Sequence, residues 1–374
     1  MLVLQAGPAQ LGGLAALSSG TSALVGLVAG GKIDRQHRRP LLIASDLVRA
    51  GLLLTIPAAA LLGLLSIGQL YLVAVLAGAA STIFELAAHA YLPALIGSAR
   101  LIEGNSRLGT SDAVAEIAGP GLTGVLVQAL TAPLAIAVDA MSYLASAALL
   151  ASIRIEEPAP TEAKPARWHD DLSTGLAACF GHALIRPLLL MRLTASFFGS
   201  FFAALYIVFA VTELGLSPAL LGFTIAAGGA GGLAGAALVP LVARWRYGPV
   251  LLVASFGGGL ATLLIPMAGG TPVTAMLTLM AAQLFGDALA VAASVQADSL
   301  RQTIVPPALL GRAGAIFHAG GGVASVAGAL IGGALAAAIG MRPTLVIAAL
   351  GLAAAPLWGL ASPLRRLDRL PVAE

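Results

Sequence analysis

One length recurs along this chain and limits what it can fold into. Runs of about twenty apolar residues follow one another from end to end, and about twenty residues is what an α-helix needs to cross the hydrocarbon of a bilayer. Eleven segments qualify, running approximately Leu11–Gly31, Leu41–Gly63, Gln69–Ala88, Ser106–Leu130, Pro133–Ile153, Pro187–Thr212, Ala219–Val242, Pro249–Gly269, Val273–Ala297, Gly311–Ala337 and Arg342–Ser362. Helices buried in a large soluble protein would carry polar outer faces, and Ala219–Val242 has none. Composition agrees: 10% of residues are charged and 59% hydrophobic, against roughly 25% charged in an ordinary soluble domain. A membrane β-barrel would instead alternate in polarity over segments of about ten residues. The expected fold is an all-α membrane protein, and its 45 glycines suit helices that pack backbone to backbone.

The basic residues supply an orientation. Lys32, Arg35, Arg38, Arg39, Arg100, Arg107, Arg154, Lys164, Arg167, Arg186, Arg244, Arg246, Arg301, Arg312, Arg365, Arg366 and Arg369 fall on one side, 17 of the 20 lysines and arginines. Arg342 alone falls on the other, while Arg49 and Arg192 lie inside helices. Cytoplasmic loops collect Lys and Arg, so the turns after Gly31, Ala88, Ile153, Val242 and Ala297, and the C-terminal tail, are expected in the cytoplasm. The pI of about 9.3 is then a topology signal, and no nucleic-acid partner is expected. Met1–Gln10 lands outside with no preceding helix and no basic signal-peptide region. The expectation is a chain that begins one helix late, eleven of a set of twelve.

Self-comparison points to duplication. A shift of 209 residues places Val114, Ala115, Ala118, Gly119, Gly124 and Leu126 on Val323, Ala324, Ala327, Gly328, Gly333 and Leu335, and Arg35, Pro40 and Leu42 on Arg244, Pro249 and Leu251. The expected organisation is an N-terminal half of five helices (1–153), a polar, proline-bearing cytoplasmic linker (154–186) with a short surface helix near Leu172–His182, and a C-terminal half of six helices (187–374).

Several motifs resemble the major facilitator superfamily and, within it, the bacterial efflux branch of enterobactin and macrolide exporters. The superfamily turn Gly-x3-Asp-Arg-x-Gly-Arg-Arg is matched by Gly30, Asp34, Arg35, Arg38 and Arg39, with His37 in place of the glycine, and continues into Asp46 and Arg49. Tyr91-Leu92-Pro93, Asn105-Ser106-Arg107, Asp139-Ala140-Met141-Ser142-Tyr143, and Pro306 with Gly311-Arg312 fall where that branch has similar residues. Gly119, Pro120 and Gly124 look like the antiporter motif of the fifth family helix. The resemblance implies a bundle of two pseudo-symmetric halves and export of a drug or siderophore-like metabolite by alternating access.

Residue chemistry can be read without the family. Asp34 among Arg35, Arg38 and Arg39 can form charge-assisted hydrogen bonds present in one arrangement of the halves and broken in another, a gating latch, or the cluster only fixes topology. At the equivalent turn of the second half Ala243 replaces the aspartate. Asp46 and Arg49, three apart, are expected to pair with each other or with the basic turn. Ionisable groups inside lipid-spanning helices are costly and are functional candidates. Asp112 and Glu116 share a helical face just before Gly119. Two nearby carboxylates favour proton uptake by one of them, unless Asp112 sits in interfacial water and only Glu116 is buried. Glu85, spaced four from His89, with Asp139 and Asp287, can each bind a proton or a cationic substrate, or hydrogen-bond a neighbouring helix. Arg192 and His318 read as snorkelling or interfacial groups. Gly228–Gly232, Gly231–Gly235 and Gly328–Gly332 have the spacing of close helix contacts or of a dimer seam.

No phosphate-binding loop or zinc-protease helix is present, and the single cysteine, Cys179, lies in the linker. The expectation is a monomeric, multi-pass transporter of the inner or plasma membrane, with a small-molecule substrate, protons and membrane lipid as partners, no cofactor and no metal. A transport-inactive sensor or scaffold and a membrane-embedded lipid-modifying enzyme are the alternatives.

Overall fold

The computed structural model describes residues 10, 12–17, 20–22, 24–25, 36–96, 101–153, 168–242 and 245–369. Among them the regular structure is helical. The long helices are α1 (Arg38–Leu61), α2 (Ile67–Ile96), α3 (Leu101–Leu130), α4 (Ala132–Ser152), α5 (Trp168–Gly181), α6 (Ile185–Val208), α7 (Pro218–Val242), α8 (Tyr247–Ala261), α9 (Pro272–Ile304), α10 (Pro307–Ile339) and α11 (Met341–Ala354). Nine helices among the described residues are long and apolar enough to cross a membrane. Of the expected segment Leu11–Gly31, residues 12–17, 20–22 and 24–25 are described and helical, and the apolar part of α3 is the shorter stretch Ile117–Leu130.

Helix ends follow local chemistry. The α9 N-terminus has Thr271 accepting a hydrogen bond from the Thr274 amide at 3.3 Å, with a proline at the first helical position, where a missing N–H costs nothing. Its C-terminus meets Val305 and Pro306 in extended backbone, which stops one helix and starts the next. Gly340, at φ 90°, makes the tight reversal between α10 and α11 that a residue with a Cβ adopts only under strain.

Contacts divide the chain into two compact units. One comprises Met1–Ala6, Ala16–Ala115 and Val125–Ala166, and the other Gly7–Ala15, Glu116–Gly124 and Arg167–Glu374. In the first, α1 packs on α2 and α4. Its apolar centre is Leu42, Ala87 and Tyr91, with Phe84 and Leu150 against them. Arg39 fastens α1 to the end of α4 by donating to the carbonyls of Leu150 (3.0 Å) and Ala151 (2.5 Å) in the last helical turn.

In the second unit, glycine sets the spacing. Gly231 and Gly235 of α7 lie against the carbonyls of Leu284 and Ala288 on α9, and Gly328 of α10 lies against the Phe197 carbonyl of α6. A side chain at any of these positions would push the helices apart, so the small-residue spacing seen in the sequence serves contacts within the chain. Phe201, Leu205, Phe209, Leu279 and Leu345 are fully or almost fully buried between these helices. Leu61, Leu149 and Val253 stand exposed on outer faces, as lipid contact requires and water would penalise.

Helix α5 occupies the second part of the expected linker and packs on α10. Gly175 lies close to the Arg312 carbonyl, and Cys179 is buried with Ile185, Leu189, Val305, Ala313 and Ile316. Burial pushes the Cys179 thiol above its ordinary pKa, and the charge of Arg301 opposes that in part.

Candidate functional site

Inside the second unit, α6, α8, α9 and α10 surround a cavity of about 790 Å³. One stripe of α9 supplies most of its polarity: Gln283, Asp287, Ser294, Asp298 and Arg301 recur at helical spacing and all line it. Facing them are Met191, Arg192, Ala195, Gly199, Phe202 and Tyr206 of α6, Ser255, Gly258 and Thr262 of α8 or its end, and Gly314, Phe317 and His318 of α10. Glycine and alanine thin three of the walls. The space results from small side chains on helices that glycine contacts hold elsewhere at short range.

Asp287 is seated against bare backbone. A Cβ built on Gly228 of α7 would run into its Oδ2, so the carboxylate takes the room that a side chain would fill. Near it on α6, the Tyr206 hydroxyl donates to Thr224 Oγ1 at 3.1 Å, and Thr224 donates in turn to the Leu221 carbonyl at 2.7 Å. About fourteen residues further along α9, roughly 21 Å at the helical rise, Arg301 donates to Asp298 at 3.0 Å and lies 5.1 Å from the centre of the Phe317 ring.

The first unit holds a charged group of another kind. Asp46 and Arg49 of α1 form a buried ion pair. The Arg49 guanidinium lies between two rings, 4.4 Å from the centre of Phe84 and 4.3 Å from that of Tyr143, and donates to Ser81 Oγ at 3.5 Å. Asp139, exposed on α4 one turn before Tyr143, lies within the electrostatic reach of Arg49.

This architecture can be set beside known proteins. The sequence model of the Major Facilitator Superfamily matches residues 1–302. The chain belongs to the major facilitator superfamily. No curated protein matches the sequence. Among solved structures, a point mutant of the nucleoside transporter NupG is similar with a TM-score of 0.74 and 11% identity, covering 96% of this chain and 92% of that one. A bacterial homologue of the iron transporter ferroportin in its inward-facing state gives a TM-score of 0.73 and 17% identity, covering 96% and 91%. At such identities the likeness is one of fold. The superfamily assignment makes the chain a secondary transporter and not an enzyme.

The residues singled out from sequence are distributed as follows. Gly30, Asp34 and Arg35 lie outside the described residues. Arg38 is half-buried, Arg39 caps α4, and Asp46 and Arg49 pair with each other. Glu85 is exposed on α2. Asp112 and Glu116 belong to α3, and their side chains lie outside the described set. A Cβ at Gly119 would meet nothing within 4 Å. The close approach belongs to Gly124, against the Pro218 carbonyl, and to Gly222 of α7, against that of Pro120. The reason is register: Gly124 lies five residues beyond Gly119, about half a turn round the helix from it. Arg192 and His318 were expected at the interface, and they line the cavity. Asp298, Arg301 and Gln283 were missed as site residues, although their spacing from Asp287 was there to be read.

Proposed function

We propose that this superfamily member is a proton-coupled exporter of a small amphipathic molecule, working by alternating access in a cell membrane as a monomer. The observation that carries this reading is the seat of Asp287: a carboxylate at the middle of a spanning helix, against bare Gly228, on the wall of a cavity of about 790 Å³. That volume lies within the roughly 300–1,000 Å³ of sites for drug-sized ligands. A carboxylate inside a membrane is expensive unless it has work to do, and proton uptake or contact with solute is the work that a cavity allows.

Asp112 and Glu116 are the second candidates for coupling, from their shared face on α3. Asp34 with Arg35, Arg38 and Arg39 is the proposed latch, with Gly119, Pro120 and Gly124 as the antiporter-like segment. The cytoplasmic side is taken to be the one that gathers the basic residues. Siderophore-like or drug-like solutes fit the apolar walls, and the resemblance to the efflux branch supports export.

Purified protein in liposomes with an imposed pH gradient tests this reading. A panel of fluorescent amphipathic solutes should become concentrated against its own gradient, and a protonophore should abolish the effect. Movement indifferent to the pH gradient would remove protons from the account. Glu116→Gln then separates the coupling candidates: loss of uphill movement with exchange retained assigns coupling to α3, and unchanged uphill movement leaves it to Asp287.

A further inference from the structure

The charges of the cavity are sorted along its length. Asp287 stands at mid-helix, whereas Arg301 lies roughly four helical turns further along α9 and gathers with Arg192 and His318 around one face of α10. Gly314, His318 and Gly321 follow at intervals of four and three residues and so share that face. A methyl group added at Gly314 would stand 3.2 Å from Arg301 Nη1, and one at Gly321 would stand 3.7 Å from Arg192 Nε. The two guanidinium groups therefore rest against glycines on either side of His318, spread over about 10 Å of helix.

One carboxylate, Asp298, belongs to this group, and it is bonded to Arg301. Arg192 and His318 are exposed to the cavity, with neither hydrogen bond nor ion pair among the described residues. The Nε of Arg301 is buried and also without a partner. An arginine whose charge has no counter-ion in a membrane-embedded cavity is costly unless water or a ligand compensates it. The planar guanidinium suits a carboxylate or phosphate in two-point contact, which a lone carboxylate wall would repel. Phe317 beneath Arg301, with Leu188 and Met191, offers apolar surface beside the charge.

We propose that Arg192, Arg301 and His318 form a binding site for the anionic group of the transported solute, so that the cavity selects amphipathic organic anions, carboxylate- or phosphate-bearing, over organic cations. This deepens the transporter reading and rests on it. Asp287, about 21 Å from Arg301 along α9, can meet a donor at the far end of the same solute or a proton.

Two dyes with one ring system test the claim: carboxyfluorescein as the anion and rhodamine 6G as the cation, titrated by fluorescence anisotropy into purified protein in detergent without any gradient. Carboxyfluorescein should bind more tightly than rhodamine 6G. Arg192→Gln should weaken the anion about tenfold or more, the scale of a lost charge-assisted hydrogen bond. Arg192→Lys should retain part of the binding, and His318→Asn should weaken it less than Arg192→Gln does. Rhodamine binding should not fall in any of them. Tighter binding of the cation, no binding of either dye, or carboxyfluorescein binding unchanged in both Arg192→Gln and His318→Asn overturns the assignment. Because no gradient is used, failure of proton coupling in liposomes leaves this result untouched, and the reverse also holds.

Discussion

In the first unit Asp46 and Arg49 form an i,i+3 ion pair whose side chains are 1% and 9% exposed; in the second, Asp298 and Arg301 form the same pair, with Asp298 57% and Arg301 16% exposed. Spacing and chemistry are identical, and surroundings decide what each pair does. The first is dry, roofed by Phe84 and Tyr143, and each charge exists chiefly to neutralise the other. The second lines a cavity, and its Asp298 stands exposed there. A charge pair in a membrane protein is thus a structural peg or part of a solute path according to the volume beside it.

The largest expected effect of breaking this contrast is at the dry pair. Asp46→Ala leaves Arg49 charged and buried without its partner, a change that costs roughly 3–5 kcal/mol in buried pairs. It should lower the melting temperature of the purified protein severely or prevent its recovery. Asp298→Ala removes a carboxylate that is 57% exposed and should lower melting much less, because a solvent-screened partner contributes little. Equal melting losses in the two variants would erase the distinction.

Next is the seat of Asp287. Gly228→Ala puts a methyl group where the Oδ2 of Asp287 lies, and overpacking of this kind costs roughly 1–3 kcal/mol. Transport should fall because the carboxylate must move. Gly119→Ala, into open space, should alter neither stability nor rate by this mechanism. A Gly228→Ala protein with normal turnover would show that the carboxylate's position is not critical.

The latch proposal sharpens the comparison without touching either pair. Asp34→Asn should slow transport by shifting a conformational balance by roughly 1–3 kcal/mol, with solute affinity held within a few fold. Single-turnover exchange beside equilibrium binding separates those effects. A smaller effect concerns Cys179. Its raised thiol pKa means less thiolate at neutral pH, and thiolate is the reacting form. Maleimide labelling of Cys179 should therefore be slow and speed up as pH rises. In a Cys179→Ser background, cysteines placed at Ala163 and Ala373 should resist an impermeant maleimide added outside intact cells. Ready labelling there would reverse the proposed orientation.

The lengths of the apolar runs made the helical fold legible, because lipid demands about twenty residues per crossing and leaves few other solutions. The Asp46–Arg49 pair was legible too, since i,i+3 partners on one helix need no tertiary knowledge. Arg192 and His318 were misjudged because distance from a helix end gives depth but not the face presented. The α9 stripe was within reach: Gln283, Asp287, Ser294, Asp298 and Arg301 repeat at steps of four, seven, four and three, and plotting them at 100° per residue gathers them on one side. Treating each ionisable group singly hid that pattern. The seat of Asp287 on Gly228 depends on how two distant helices meet, which no periodicity within one helix encodes.

Asp287→Asn tests the central claim most directly. The variant keeps the shape of the side chain and removes its charge. It should melt as the parent protein does, retain downhill exchange of solute in liposomes, and fail to concentrate solute when a pH gradient is imposed. An Asp287→Asn protein that still drives solute uphill at the parent rate would contradict the assignment of the working charge to this cavity.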